Sequence, residues 1–105
     1  MTKELIEEIL NMVGLPYRYH HFEEEEAVEL PFICWIVPGS ENFAADGKVY
    51  FKSDNVNIEL YTDFKDFELE KAIENVLEQK GIFWEKTEDY IDSEKMYEVI
   101  YELSI

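Results

Sequence analysis

The stretch Val56-Asn57-Ile58-Glu59-Leu60-Tyr61-Thr62-Asp63 decides the fold class. Val56, Ile58, Leu60 and Thr62 fall on one side, and Asn57, Glu59, Tyr61 and Asp63 on the other. That period of two belongs to a half-buried strand. Upstream, Val49-Tyr50-Phe51 carries the same strand back to residue 48, across a bend or bulge expected at residues 53–55. Downstream the period changes from two to 3.6. Leu69, Ala72, Ile73, Val76 and Leu77 form one stripe of a helix over residues 66–80, with Asp63 or Asp66 as its cap and Gly81 as its stop.

Working outward, residues 2–13 read as a first helix, its apolar stripe made by Leu5, Ile6, Ile9, Leu10 and Val13. Thr2 caps it, and Gly14 and Pro16 end it. Residues 17–22 are a short aromatic strand, broken by an exposed turn of four glutamates. Residues 31–37, Pro-Phe-Ile-Cys-Trp-Ile-Val, lack any charge and read as a central strand buried on both faces. Residues 39–47 read as a loop, with Asp46-Gly47 as a turn signal. Strands at 82–89 and 95–103, joined across residues 90–94, close the chain as a hairpin. The order is α-β-β-β-α-β-β over one domain, residues 1–105. It predicts an α+β fold: a mostly antiparallel sheet of about five strands with two helices on one face.

The charge limits what such a domain can bind. There are 25 acidic residues against 9 basic ones, a formal net of −16. Affinity for a nucleic-acid backbone comes from Lys and Arg displacing counterions, so specific nucleic-acid binding is not expected. Anionic membrane surfaces are disfavoured for the same reason. At 47% hydrophobic residues the chain is nevertheless too apolar to remain disordered. The acidic amphipathic start, MTKELIEEIL, lacks the long apolar centre of a signal peptide, and no apolar run reaches the ~20 residues that span a bilayer. A cytoplasmic compartment, at least at synthesis, follows as the expectation.

Candidate chemistry is sparse. His20 and His21 adjoin Glu23, Glu24, Glu25 and Glu26, but neighbours on a strand point to opposite faces and would not share one metal ion. The four glutamates lack the alternating ligands and glycine of a calcium loop; they read as a solvated acidic surface, and secondly as a docking site for a basic partner. Cys34, the only cysteine, stands in the most apolar run and reads as an inert buried thiol. The expectation is therefore no catalytic residue, no cofactor and no metal. Asn42, Phe43 and Ala44 are the candidate interface: Phe43 either tucks back on the sheet or anchors a neighbouring subunit.

Three segments carry a resemblance: Leu30-Pro31-Phe32-Ile33-Cys34-Trp35, the stretch Gly39-Ser40-Glu41-Asn42-Phe43-Ala44-Ala45-Asp46-Gly47, and Val56 through Asp66. With their element order they resemble small proteins encoded in tail-module regions of prophages of Gram-positive bacteria. The architecture is similar to the tail terminator (tail completion) proteins of long-tailed phages, over nearly the whole chain. The shared motifs define a fold rather than a chemistry. The resemblance implies a ring, typically of six subunits, that caps the tail tube and meets the head connector. Its implied partners are other copies of the chain, the tail tube protein and the head connector protein. Its implied location is the bacterial cytoplasm during assembly and then the virion tail. It implies no catalytic residues, and DNA would pass through the ring without being gripped. Two alternatives stand beside it: a neighbouring head–tail connector component, and an acidic soluble binding protein such as a DNA mimic that occupies a basic site.

Overall fold

In the computed structural model residues 2–26, 28–45 and 47–105 are described, with residues 43–45 and 48–51 described for their backbone alone. The element order is α1 (Lys3–Val13), β1 (Tyr17–Tyr19), a single 3-10 turn (Glu24–Glu26), β2 (Phe32–Ala45), β3 (Lys48–Thr62), α2 (Phe67–Gln79), β4 (Trp84–Ile91) and β5 (Met96–Ser104). The five strands form one sheet in the order β1-β2-β3-β5-β4. Every pairing is antiparallel except that of β1 with β2. The expected α+β class, with two helices and a mostly antiparallel five-stranded sheet, is the observed one.

Both helices lie over one face. From α1, Ile6, Ile9 and Leu10 meet Ile73, Val76 and Leu77 of α2 above Ile33, Trp35, Val56, Ile58, Leu60, Val99, Tyr101 and Leu103 of the sheet. Local chemistry sets the helix ends. Thr2 Oγ1 accepts the Leu5 N–H at 3.1 Å, and Gly14 closes α1 at φ 86°, a left-handed conformation that costs glycine little. Asp66, rather than Asp63, caps α2 by accepting the Leu69 N–H. The expected α2 stripe needs one change: Ala72 is exposed, and Glu70 is buried in its place. Lys65 and Lys86 make this tolerable by pairing with the two Glu70 oxygens, at 2.6 and 3.3 Å.

Several boundaries differ from the sequence reading. The central strand is β3, not residues 31–37. Burial on the second face of β2 comes instead from the segment after β1, where Phe22 packs on Phe32 with ring centroids 5.1 Å apart. β1 stops at Tyr19 because His20 takes φ 68°. β4 begins and ends two residues later than expected, at Trp84 and Ile91.

The largest difference is that the expected loop at 39–47 is strand as far as Ala45. β2 continues to Ala45, and β3 pairs with it back to Lys48. Of the expected turn pair, Asp46 lies outside the described residues, and Gly47 has φ 71°. The bulge expected at residues 53–55 is on the partner strand: Ile36 faces Asn57 and Gly39 faces Asn55, which leaves Val37 and Pro38 opposite Val56. A second register shift leaves Tyr50 extra on β3.

Leu60 is fully buried on β3 between β2 and β5. Leu60→Ala is expected to cost about 2–5 kcal/mol in urea unfolding, with an unchanged denaturant slope if only the core is loosened.

Candidate assembly surface

Strand alternation places a second set of side chains on the sheet face away from the helices. Across the strands, Cys34 faces Glu59, which faces Ile100, which faces Thr87. One step along, Phe32, Tyr61, Glu98 and Asp89 form the next row; one step the other way are Ile36, Asn57, Glu102 and Glu85. Five carboxylates thus share this face. Among the described residues its one strand-borne cation is Arg18, opposite Cys34 at the β1 edge and committed to Glu26 at 2.8 Å. Lys65, Lys80 and Lys86 are occupied on the helix side, where they pair with Glu70, Glu88, Glu8 and Glu74.

The centre of the face is a proton-holding cluster. The Tyr61 hydroxyl donates to Glu98 at 2.6 Å and, more loosely, to Glu59 at 3.3 Å. Burial, then the hydrogen bond to Glu98, pushes the Tyr61 hydroxyl far up. Burial and the nearby Glu98 also raise the Glu59 carboxyl. Cys34, buried beneath them, is pushed up to about 11 by burial and by the charges of Glu59 and Glu98. The cysteine is buried, as the sequence reading expects, and burial together with the two carboxylates disfavours its thiolate.

The second feature is the extended hairpin. β1 pairs with β2 only as far as Trp35, where His20 donates its N–H to the Trp35 carbonyl. On the other side β5 ends against Asn55, and Asp54 and Ile105 exchange two backbone bonds at 2.8 and 2.9 Å. Beyond those points the described residues of β2 and β3 pair only with each other, as a two-stranded arm. The arm lies along a molecule whose principal extents are 50 × 29 × 24 Å. A groove of about 300 Å³ opens at its root, lined by Pro38, Glu41, Asn55, Asn57, Glu102 and Leu103. A hollow of about 460 Å³ on α1, lined by Glu4, Glu7, Glu8, Asn11 and Met12, is only the solvent side of that helix.

The residues singled out from sequence fall in different places. Asn42 is exposed on the outer strand of the arm; Phe43 and Ala44 follow it in β2, opposite Phe51 and Val49, and their side chains lie outside the described residues. Glu23, Glu24, Glu25 and Glu26 do not form a uniform acidic surface. Glu23 binds His21 at 3.0 Å, and Glu26 is tied to Arg18. The Glu23 backbone N–H and Arg18 together hold the Glu26 carboxyl below its usual range. The His20 and His21 rings do meet, with their Nδ1 atoms 2.9 Å apart, because the left-handed His20 ends the strand alternation that would separate them. Glu23 binds the far nitrogen of His21, so the three groups do not converge on one point. The open-face carboxylates were readable one strand at a time, but their assembly into rows depends on register.

No helix among the described residues is long and apolar enough to cross a membrane. No family model matches this chain, and no curated protein matches it.

Two expectations test this face. The raised thiol should slow alkylation of Cys34 at pH 8 on the order of a hundredfold relative to the urea-unfolded chain. A thiol that reacts equally fast in both states would contradict the burial described. For Glu59 the folded state holds its proton more tightly than the unfolded chain. Stability contributed by this group therefore falls as pH rises from the ordinary carboxylate value through the raised one, and stays lower above it. Glu59→Gln should stabilise the protein at pH 7 by up to about 1 kcal/mol, the size fitting a partly exposed charge. The gain should vanish below about pH 4, as read from paired urea titrations.

Proposed function

We propose that this chain is a phage or prophage structural protein of the tail terminator kind, which assembles as a ring at the head-proximal end of the tail tube. The observation that carries this reading is the arm. A two-stranded ribbon is marginally stable by itself in water, and its unpaired edges are templates for another chain. Such an element makes sense where assembly supplies its missing neighbours. Enzymes are served instead by an enclosed pocket with convergent polar groups. Neither hollow described above has that form.

The charge distribution supports the same reading. Residues 39–54 hold Glu41, Asp46 and Asp54 against Lys48 and Lys52, a net of −1 out of −16. The part that reaches out is therefore nearly neutral, and the rest of the molecule repels its own copies. A ring with the open acidic face toward its lumen would let DNA slide through without gripping the phosphates. Exposed Phe64 and Phe67, at the end of the sheet away from the arm, offer an unlike surface to the tail tube or head connector.

The rows of carboxylates on the open face favour a second reading, an acidic binding protein that mimics DNA. One measurement separates the two. Molar mass from size-exclusion chromatography with light scattering should rise with salt, and with magnesium, to a discrete oligomer near six subunits as the net charge is screened. Electron microscopy of that peak should show closed rings. A monomer that neither oligomerises nor joins purified tail tubes, yet displaces DNA from a basic protein, would overturn the ring reading and establish the mimic.

A further inference from the structure

We infer that copies of this chain join by strand addition, the outer edge of β2 in the arm of one copy pairing antiparallel with the outer edge of β4 in the next. The inference rests on the ring-forming reading above and names its contact.

Three observations carry it. The first is direction. In the order β1-β2-β3-β5-β4, the outer edge of β2 and the outer edge of β4 face opposite ways across the sheet. β2 and β4 also run antiparallel to each other, because each successive pairing from β2 through β3 and β5 to β4 reverses direction. A second copy in the same orientation therefore brings its β4 to the first copy's β2 in the right sense for an antiparallel ladder. The relation repeats head to tail, which is the kind that closes rings. The arm lies beyond β1 along the strand direction, so each copy is displaced along the strands relative to the last. Tilted, staggered strands in a closed cylinder have that displacement.

The second observation is length. The free edge of β2 over residues 39–45 is seven residues, and β4 is eight. At about 3.3 Å per residue, each spans roughly 23–26 Å, so neither edge is left half covered.

The third is which edges are protected. β1 is three residues long, and β4 carries Glu85, Lys86, Glu88 and Asp89. Lys86 is drawn to Glu70 and Glu74, and Glu88 is held by Lys65. The exposed Glu85 and Asp89 remain, and they repel a second β4. Residues 39–45 hold one charge, Glu41, with Lys48 and Lys52 on the adjoining strand. Two β4 edges oppose several acids to several acids, whereas the edge of the arm brings a single carboxylate, Glu41, to β4.

Single-cysteine placement tests the contact. Glu41 and Thr87 sit near the middle of the two edges on the same face of the sheet, and both are exposed; Cys34 is buried. Glu41→Cys and Thr87→Cys proteins, each checked for a native unfolding curve, are mixed in salt with oxidised glutathione. The expected result is a disulfide dimer of unlike copies in several-fold excess over either like dimer. Glu41→Cys and Glu85→Cys serve as a second pair should the register differ by two residues. A discrete oligomer with no excess of unlike dimers in either pair overturns the arm–edge contact and leaves the ring. Unlike cross-links from a chain that stays monomeric by light scattering uphold the contact and remove the free-solution ring. Dominant Glu41→Cys like dimers would assign the arm to symmetric self-pairing and overturn the proposal, and so would the absence of any cross-link.

Discussion

The side chains of Val56, Ile58 and Leu60 are fully buried against both helices, and the backbone that carries them pairs with β2 on one side and β5 on the other. This doubly paired, singly covered segment of β3 sets the rest of the molecule. Its inward residues fix which face the helices cover, and through them the direction of α1 and α2. Its alternate residues, Asn57, Glu59 and Tyr61, are thereby committed to the opposite face, where no helix lies. A slip of one residue would exchange the two sets and bring Glu59 into the apolar core, so the register is held strongly. The same strand continues past its last β5 partner into the arm, so the core orients the part of the molecule that projects from it.

Charge follows from that division. With −16 to place, the fold commits three of its nine cations to the helix side: Lys65 and Lys86 around Glu70 and Glu74, and Lys80 from the end of α2 to Glu8 of α1. These pairs join helices to sheet where apolar contact alone would leave a buried carboxylate unanswered. On the open face Glu59 and Glu98 meet at Tyr61, and burial, reinforced by the neighbouring carboxylates, makes Glu59 and Tyr61 retain their protons more firmly than usual.

Much of this was legible in the sequence because it is local. The α1 stripe, the Thr2 cap, the alternation of β3 and β5 and the glycine stops are written within a turn or two of the residues they govern. Three things were not. The helical pattern of α2 hid Glu70, whose burial depends on Lys65 and Lys86 arriving from two other elements. The place of β2 in the sheet was misread because a wholly apolar run looks the same whether a strand is central or is covered by a neighbouring segment. The rows of the open face required the register of four strands, which no single segment contains.

The arm was the hardest part to read, for a reason that bears on its role. Sequence patterns reveal strands through the contrast between a buried face and a wet one. Within one copy the described backbone of residues 39–53 pairs with no third strand, so one source of that contrast is missing. Glycine, serine and asparagine at 39, 40 and 42 then resemble loop chemistry, although the backbone forms a ladder with β3. By the proposed strand addition, another chain supplies the burial of such a strand. The low charge points the same way, because solubility in a molecule this acidic does not require a neutral arm. Neutrality there lowers the repulsion between copies where they would meet, while the acidic remainder discourages contact elsewhere.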